Sequence, residues 1–310
     1  MRMIDRMSRL FCVKLFALVF TVATISSCGG NPPPPQPRRT PVADMGSSPN
    51  AGPVRIGAIP QTPPPSVVAE SAIVIDIQSG RVLYAKNADF PRAVASTQKL
   101  LTALCVLDAG NIDQPVVITA SDVACEPTNL NIKPGDSYTR RELLKVLIVK
   151  SANDVARALA RDVGGSQEGF ATLMNRKAAS LGMKNSYFIN PNGLPQIGQY
   201  STARDMAIAS RAAYRSPLIR SFTATKAFTF NFNDGRTRYL ENTNRLLKSV
   251  PYCDGLKTGT TNAAGRCLVS SGSLNGRSAI VVVLKSTTPH IWKDSSNLLA
   301  WALERPASGI

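Results

Sequence analysis

A serine and a lysine three residues apart stand at the start of an apolar helical pattern. Ser96 and Lys99 lie in ASTQKLLTALCVLDAG (95–110), where no further charge occurs until Asp108. Residues three apart share one face of a helix, so the lysine amine can reach the serine hydroxyl. A buried lysine near a second cation has a lowered pKa and can act as a general base. The pair indicates a nucleophilic serine activated by a lysine, although such a pair alone is common by chance.

Other patterns of catalytic and cofactor-binding sites are absent from the sequence. The chain has one histidine, His290, and no GxSxG, HExxH, GxxxxGK[ST] or GxGxxG pattern, which argues against a serine triad with a histidine base. The six cysteines form no CxxC pair, so we expect no metal site and no cofactor. Cys105 lies among apolar helix residues and is interpreted as a buried thiol, while the spacing leaves the pairing of Cys105, Cys125, Cys253 and Cys267 open.

Strand and helix patterns alternate through the predicted folded part, residues 66–310. SAIVIDIQSGRVLYAKN (71–87) indicates two strands joined by a turn. Helices are predicted from about Ser96, in two runs within 140–165 that separate near Ser151, at 167–182, at 202–216 and at 295–303. Further strands are predicted in AFTFNF, CDGLKTGTT, GRCLVSSG and RSAIVVVLKS. Strands at both ends with helices between them indicate one intertwined α/β domain with a helical insertion.

Two further motifs follow the serine–lysine pair. Ser151-Ala152-Asn153 stands at the predicted break between helices, and Lys257-Thr258-Gly259 lies in a predicted strand. The motif starts are separated by 55 and 106 residues. The order SxxK, SxN, KTG resembles the three-part signature of the penicillin-recognising serine enzymes. Three motifs in this order are far more specific than any one of them.

The likeness extends to most of the folded part, about residues 67–305. The segments that carry it are AVASTQKLLTAL, VKSANDVARALA, MNRKAASLGM, NPNGL, YSTARDMA, DGLKTGTTNAAGRCLVSSG and LLAWAL. They resemble the low-molecular-mass D-alanyl-D-alanine carboxypeptidases. The resemblance implies a β-lactamase/transpeptidase-like α/β (α+β) fold, with a five-stranded antiparallel sheet flanked by helices, a helical subdomain, and the active site between them.

The resemblance also implies roles for the motif residues. Ser96 would attack the carbonyl between two D-alanines while Lys99 accepts its proton. Ser151 would pass a proton to the leaving D-alanine with help from Lys257, and Asn153 would hold the substrate amide. Thr258 would bind the substrate carboxylate, Gly259 would keep the strand clear, and the amides of Ser96 and Thr260 would form the oxyanion hole. The expected ligands are peptidoglycan stem peptides ending in D-Ala-D-Ala and β-lactam antibiotics.

Two alternatives to a carboxypeptidase are weighed. A class A β-lactamase would need a glutamate in the segment 182–195, which contains no carboxylate; the nearest acids are Glu168 and Asp205. A non-catalytic wall-binding lipoprotein of the same fold is disfavoured because all three motifs are intact. The family often places an arginine beyond the last strand, where this chain has Pro289 and His290. Compensation by His290, by Arg266 or by Thr258 alone is left open, as is a preference for carboxypeptidase or endopeptidase activity.

The N-terminal region predicts export. Four basic residues precede the apolar run LFALVFTVATI (15–25), which is too short for a comfortable membrane span and is typical of a signal peptide, here residues 1–27. Ile25–Cys28 resembles a lipobox, so Cys28 is the predicted lipidation site, with the proline-rich segment 28–65 as a spacer. We expect a lipoprotein anchored in the cell envelope, with simple secretion as the alternative. The formal net charge of +16 favours an anionic partner, but no run of five basic residues and no motif indicates nucleic acid.

Overall fold

A computed structural model describes residues 62–303. The predicted signal peptide, Cys28 and most of the predicted spacer therefore lie outside the described residues. The described strands are β1 (Ser71–Asp76), β2 (Val82–Lys86), β3 (Pro115–Val117), β4 (Ser137–Thr139), β5 (Ala227–Asn231), β6 (Thr237–Glu241), β7 (Cys253–Thr261), β8 (Gly265–Leu274) and β9 (Arg277–Ser286). The described helices are α1 (Lys99–Asp108), α2 (Ala120–Val123), α3 (Arg140–Val149), α4 (Asn153–Gly164), α5 (Gln167–Leu181), α6 (Ala203–Arg215), α7 (Pro217–Ala224), α8 (Leu246–Ser249) and α9 (His290–Leu303).

Five strands form an antiparallel sheet in the order β2-β1-β9-β8-β7. The central strands are buried on both faces, so successive side chains enter two different cores. In β1, Ile73 and Ile75 join the core that contains α1, whereas Ala72 and Val74 join the core that contains α9. β7, which carries the KTG motif, lies at an edge of this sheet. Sheet and helices together confirm the predicted α+β fold.

The helix behind Ser96 is buried on nearly every side. Every residue of α1 from Lys99 to Val106 is buried, and the helix contacts α3, α4, α5 and α6. Such an apolar helix gains its stability from packing rather than from solvent-exposed pairs. α1 is therefore a rigid base for the residues at its N-terminus.

Two helix boundaries differ from the sequence prediction. The helix predicted from Ser96 begins with a short 3-10 turn, Ala95–Gln98, in which the hydroxyl and amide of Thr97 both donate to the carbonyl of Val94. The last helix begins at His290, five residues earlier than predicted. Asp294, in the first turns of this helix, is buried and accepts a hydrogen bond from the backbone amide of Ala69 at 2.9 Å. Because a polar residue occupies this buried position, the apolar periodicity of the sequence does not mark the first turns as helical.

Candidate active site

Lys99 lies at the centre of a compact polar cluster. Its side chain is fully buried, and its Nζ lies 2.8 Å from Ser96 Oγ. The same nitrogen lies 2.7 Å from Asn153 Oδ1 and 2.7 Å from the carbonyl oxygen of Asn192. The predicted serine, just before α1, and the predicted lysine, at its start, thus meet the predicted asparagine of α4. Lys99 is buried like the rest of this part of α1, and its amine faces the Ser96 hydroxyl.

The surroundings of Lys99 favour its neutral form. Burial, and then the positive charge of Lys257, lower the pKa of Lys99 well below its usual value. A neutral amine has two N–H groups and one lone pair. The side-chain oxygen of Asn153 and the carbonyl oxygen of Asn192 can accept hydrogen bonds from the two N–H groups. The lone pair is then left to accept the proton of the Ser96 hydroxyl. The geometry is that of a serine with its general base in place.

Lys257 is a second buried lysine beside the cluster. Only 1% of its surface is exposed, and its Nζ donates to the carbonyl of Thr258 at 3.1 Å. Burial lowers the pKa of Lys257 to about 7. The residue can therefore exchange a proton near neutral pH, and in its charged form it lowers the pKa of Lys99.

The SxN motif lies where α3 ends and α4 begins. Ser151 has a φ of 66°, a left-handed conformation that is uncommon for a residue with a side chain and that places it in the connection between the helices. Asn153 is the first residue of α4; its amide donates to Thr128 O at 2.8 Å and its side-chain nitrogen donates to the carbonyl of Pro127. The amide oxygen of Asn153 is therefore held towards Lys99.

Asp154 holds the loop that covers this motif, although sequence reasoning gave it no role. Its carboxylate is buried and accepts the backbone amides of Leu130 and Asn131, each at 3.0 Å. These bonds tie the loop before β4 to the start of α4. Asp154 is thus a positioning residue for the segment to which Asn153 also bonds.

The NPNGL segment (190–194) supplies a functional group that sequence reasoning also missed. The Asn192 carbonyl accepts from Lys99 and lies 3.2 Å from Ser96 Oγ. The segment is anchored to the 3-10 turn and to α1 by Gln98, which donates to Asn190 O at 2.5 Å, and by Thr102, which donates to Pro191 O at 2.7 Å. A carbonyl is common to all residues, so only the Asn, Pro and Gly turn signals could have marked this segment.

Gly259 brings the edge strand close to the nucleophile. A methyl group placed on Gly259 would lie 2.8 Å from the Ser96 nitrogen and 2.9 Å from the Thr97 nitrogen. Gly259 pairs with Cys267 and Lys257 pairs with Val269, so these two β7 residues face the core that contains α1. The strand could not approach the Ser96 amide so closely with a side chain at this position.

A cavity of about 740 Å³ opens beside this cluster. Its lining includes Ser96, Ser151, Thr258, Gly259 and Thr260. The predicted nucleophile, the SxN serine and the KTG segment therefore meet at one cavity, while Lys99, Asn153 and Lys257 lie behind its wall.

Basic residues line the same cavity. Arg266 lies on β8 and contributes to the cavity lining. Its Nη1 atom donates to the Thr260 hydroxyl oxygen at 3.1 Å. His290 lies instead with its Nδ1 2.9 Å from the Thr287 hydroxyl and is not among the lining residues. Of the alternatives left open by the sequence, the structure places Arg266 and Thr258 at the cavity.

The acids considered for a lactamase lie elsewhere. Asp205 is buried and accepts the Asn185 amide and the Ser186 hydroxyl, both at 2.7 Å. Glu168 is exposed in the first turn of α5. The carboxylate that does line the cavity, Glu241, is paired with Lys248 at 2.7 Å. No lining carboxylate is thus free to serve as a base for water.

The remaining chemistry-bearing residues do not form a second centre of this kind. In residues 62–303, no group of three or more His, Cys, Asp or Glu side chains is arranged to hold a metal ion. The four described cysteines are free thiols. Burial raises the pKa of Cys105 to about 12 and of Cys125, Cys253 and Cys267 to about 11, so all four are weak nucleophiles near neutral pH. Over the same described stretch, no helix has the length and apolar character of a membrane span.

Comparison with known proteins agrees with this arrangement. The family model described as D-alanyl-D-alanine carboxypeptidase matches residues 58–288. The chain belongs to the D-alanyl-D-alanine carboxypeptidase family. The predicted family is thereby confirmed.

Individual relatives of this family match most of the chain. D-alanyl-D-alanine carboxypeptidase DacF of Bacillus subtilis is 38% identical over 226 residues, which are 71% of this chain and 58% of DacF. DacB2 of Mycobacterium tuberculosis is 35% identical over 245 residues, 77% of this chain and 84% of DacB2. A crystal structure of a D-alanyl-D-alanine carboxypeptidase from Mycobacterium tuberculosis matches with a TM-score of 0.76 and 32% identity, over 80% of this chain and 95% of that one. The chain therefore spans a little over half of DacF but most of the mycobacterial proteins, and the predicted fold class is confirmed.

Proposed function

We propose that this carboxypeptidase-family protein is a serine-type D-alanyl-D-alanine carboxypeptidase that removes the terminal D-alanine from peptidoglycan pentapeptides. The observation that carries the proposal is the 2.8 Å contact between Ser96 Oγ and the buried amine of Lys99. Ser96 Oγ forms a bond to the carbonyl carbon of the penultimate D-alanine as its proton passes to Lys99. The C–N bond then breaks, D-alanine leaves as the amine, and water later hydrolyses the ester on Ser96.

The leaving nitrogen needs a proton, and Ser151 is placed to deliver it. Ser151 lines the cavity together with Ser96. The buried Lys257, with its pKa near 7, can return a proton to this relay at neutral pH. Asn153, whose side-chain nitrogen donates to the carbonyl of Pro127, orients Lys99 through its amide oxygen.

The negative charge of the tetrahedral intermediate falls on the carbonyl oxygen. The amides of Ser96, at the start of a helix, and of Thr260, on the free edge of β7, form the oxyanion hole in this proposal. The support is the close packing of Gly259 against the Ser96 amide. An edge strand also offers unpaired backbone groups to an extended peptide, which suits a stem peptide as ligand.

The substrate carboxylate is bound by Thr258 and Arg266. Both line the cavity, and Arg266 is the guanidinium held beside Thr260. Arginine recognises carboxylates through two parallel N–H groups. β-Lactams, which mimic the D-Ala-D-Ala end, acylate the same serine, and the absence of a free lining carboxylate makes their release slow.

The proposed location is the cell envelope, where the protein is held by a lipid on Cys28. The support is the basic and apolar pattern of residues 1–27, the lipobox-like sequence before Cys28 and the proline-rich segment that follows it. The test is incorporation of labelled palmitate by cells that express the chain. We expect label in the natural chain and none in Cys28→Ser; equal labelling of both would contradict the lipidation.

The activity is tested by release of D-alanine from a pentapeptide ending in D-Ala-D-Ala. We expect release by the natural chain and loss of it in Ser96→Ala and in Lys99→Ala, with both variants folded by circular dichroism. Retained release in either variant would contradict the assigned mechanism.

A further inference from the structure

Three arginines without a carboxylate partner converge on a second cavity. Arg215 ends α6, Arg220 lies on α7 and Arg277 begins β9. All three line a cavity of about 540 Å³ between these elements. Nowhere in residues 62–303 does a carboxylate oxygen approach any of the three guanidinium groups within salt-bridge distance. We call Arg215, Arg220, Arg277 and the space between them the arginine cavity.

The arginine cavity is separate from the active site. It lies at the turn between β8 and β9, where Ser273 and Gly276 contribute to its lining. Ser273 stands five residues along β8 from Leu268, the cross-strand partner of Thr258. At the rise of a strand, this is a separation of about 17 Å. None of the residues lining the arginine cavity also lines the active-site cavity.

The positive charges around the arginine cavity are only partly balanced from behind, where Arg211 interacts with the positive charge of Arg215 and, more weakly, with the negative charge of Asp76. Arg211, one turn before Arg215, donates to the carbonyls of Ile77 at 2.7 Å and Gln78 at 2.5 Å. Burial, and then the charge of Arg215, lower the pKa of Arg211. Like charges gathered at one place cost free energy, which a bound anion would offset.

Neutral groups of the cavity add hydrogen-bonding capacity. Ser278 contributes to the lining with a hydroxyl group, whereas the hydroxyls of Tyr214 and Ser273, which also line the cavity, lie 3.3 Å apart and bond to each other. The Arg220 guanidinium is held 5.5 Å above the ring of Tyr214. The nearby carboxylate of Asp254 is not among the lining residues and accepts hydrogen bonds from the Tyr214 hydroxyl at 2.7 Å and the Ser271 hydroxyl at 2.5 Å. Its oxygens are therefore engaged by hydroxyl donors rather than by the arginines.

We propose that the arginine cavity binds a phosphate group, as a monoester or a diester. Three arginines from three elements line this one cavity, and guanidinium groups recognise phosphate oxygens through paired N–H donors. A phospholipid headgroup and a soluble phosphate ester share this chemistry.

The test measures phosphate binding by calorimetry on the full chain. The probes are inorganic phosphate, glycerol phosphate and a short-chain phosphatidylglycerol below its micelle concentration, at an ionic strength of about 0.15 M, where long-range attraction is screened. The test variant is Arg215→Gln/Arg277→Gln. The matched control, Arg176→Gln/Lys184→Gln, removes the same charge from two exposed residues of α5 and the loop after it.

We expect the natural chain and the control to bind the probes equally well and the test variant to bind at least about tenfold more weakly. Tighter binding of the lipid than of glycerol phosphate would identify a headgroup as the natural source, and equal binding a soluble ester; both results support the site. Absence of binding by the natural chain, or equal losses in the two variants, would overturn the proposal. Thermal melting of all three proteins shows that the losses do not come from unfolding.

Discussion

Gly259→Ala tests whether the edge strand sets the position of the nucleophile. The new methyl group would lie 2.8 Å from the Ser96 nitrogen, and a shift of about 0.6 Å is needed to reach the ordinary contact distance of 3.4 Å. Gly259 does not have a left-handed φ, so alanine strains the site through its methyl group and not through its backbone. Overpacking of this kind costs about 1–3 kcal/mol of folding free energy.

The catalytic loss should be larger than the loss of stability. Displacing one oxyanion-hole donor lowers a rate by about 10²–10³, and we expect acylation by a fluorescent penicillin to slow by this factor. Gly272→Ala is the matched control. Gly272 lies on β8 of the same sheet, and a methyl group there would collide with the carbonyl of Tyr252 and not with Ser96. Both variants are followed by thermal denaturation and by the time course of labelling.

We expect both variants to melt at lower temperatures and only Gly259→Ala to lose acylation. A Gly259→Ala protein labelled at the natural rate would refute the argument. Equal losses of labelling in the two variants, measured well below their melting temperatures, would also refute it, since the cause would then be general destabilisation.

Three further predictions concern the charged groups. Lys257→Gln removes a charge that lowers the pKa of Lys99, so the acid limb of the acylation pH profile should move to higher pH; an unmoved limb contradicts the coupling. Because the pKa of Lys257 is about 7 when folded and 10.5 when unfolded, the folded state binds fewer protons between these values and its stability rises with pH there. Below about pH 7, the Lys257→Met variant should therefore have a higher melting temperature than the natural chain, and this difference should shrink as the pH rises. A difference in melting temperature that stays constant or grows with pH would contradict the cost of burying the charged lysine. Arg266→Gln should lower kcat/KM for the pentapeptide roughly tenfold or more through KM, whereas His290→Gln, outside the cavity, should leave it unchanged; the reverse order would identify His290 as the carboxylate partner.

The side chains of the candidate site could be singled out from the sequence because residue types and their spacing indicate their chemistry. Ser96 and Lys99 share a helix face, and the long apolar run after them indicated that the lysine would be buried. The SxN motif was expected at a helix break, and Ser151 does lie between α3 and α4. The strands predicted in CDGLKTGTT, GRCLVSSG and RSAIVVVLKS are present as β7, β8 and β9, which pair in antiparallel order.

What escaped prediction depends on main-chain groups and on contacts between distant segments. The carbonyl of Asn192 accepts a hydrogen bond from Lys99, although the two residues are 93 positions apart in the sequence. Every residue has a backbone carbonyl, so the residue type does not indicate this role. Asp154 belongs to no motif that the sequence analysis singled out, yet its carboxylate accepts the backbone amide of Leu130 and fixes a distant loop. The arginine cavity likewise joins α6, α7 and β9, which only the folded chain brings together.

The central claim is that Ser96, activated by Lys99, is the acylated nucleophile. The most direct measurement is mass spectrometry of the full chain after brief incubation with benzylpenicillin, followed by proteolysis to locate the adduct. We expect one penicillin per chain, attached to Ser96, persisting for a long time after excess drug is removed and absent from Ser96→Ala and Lys99→Ala. A folded chain that gains no adduct, or an adduct on another residue, would contradict it.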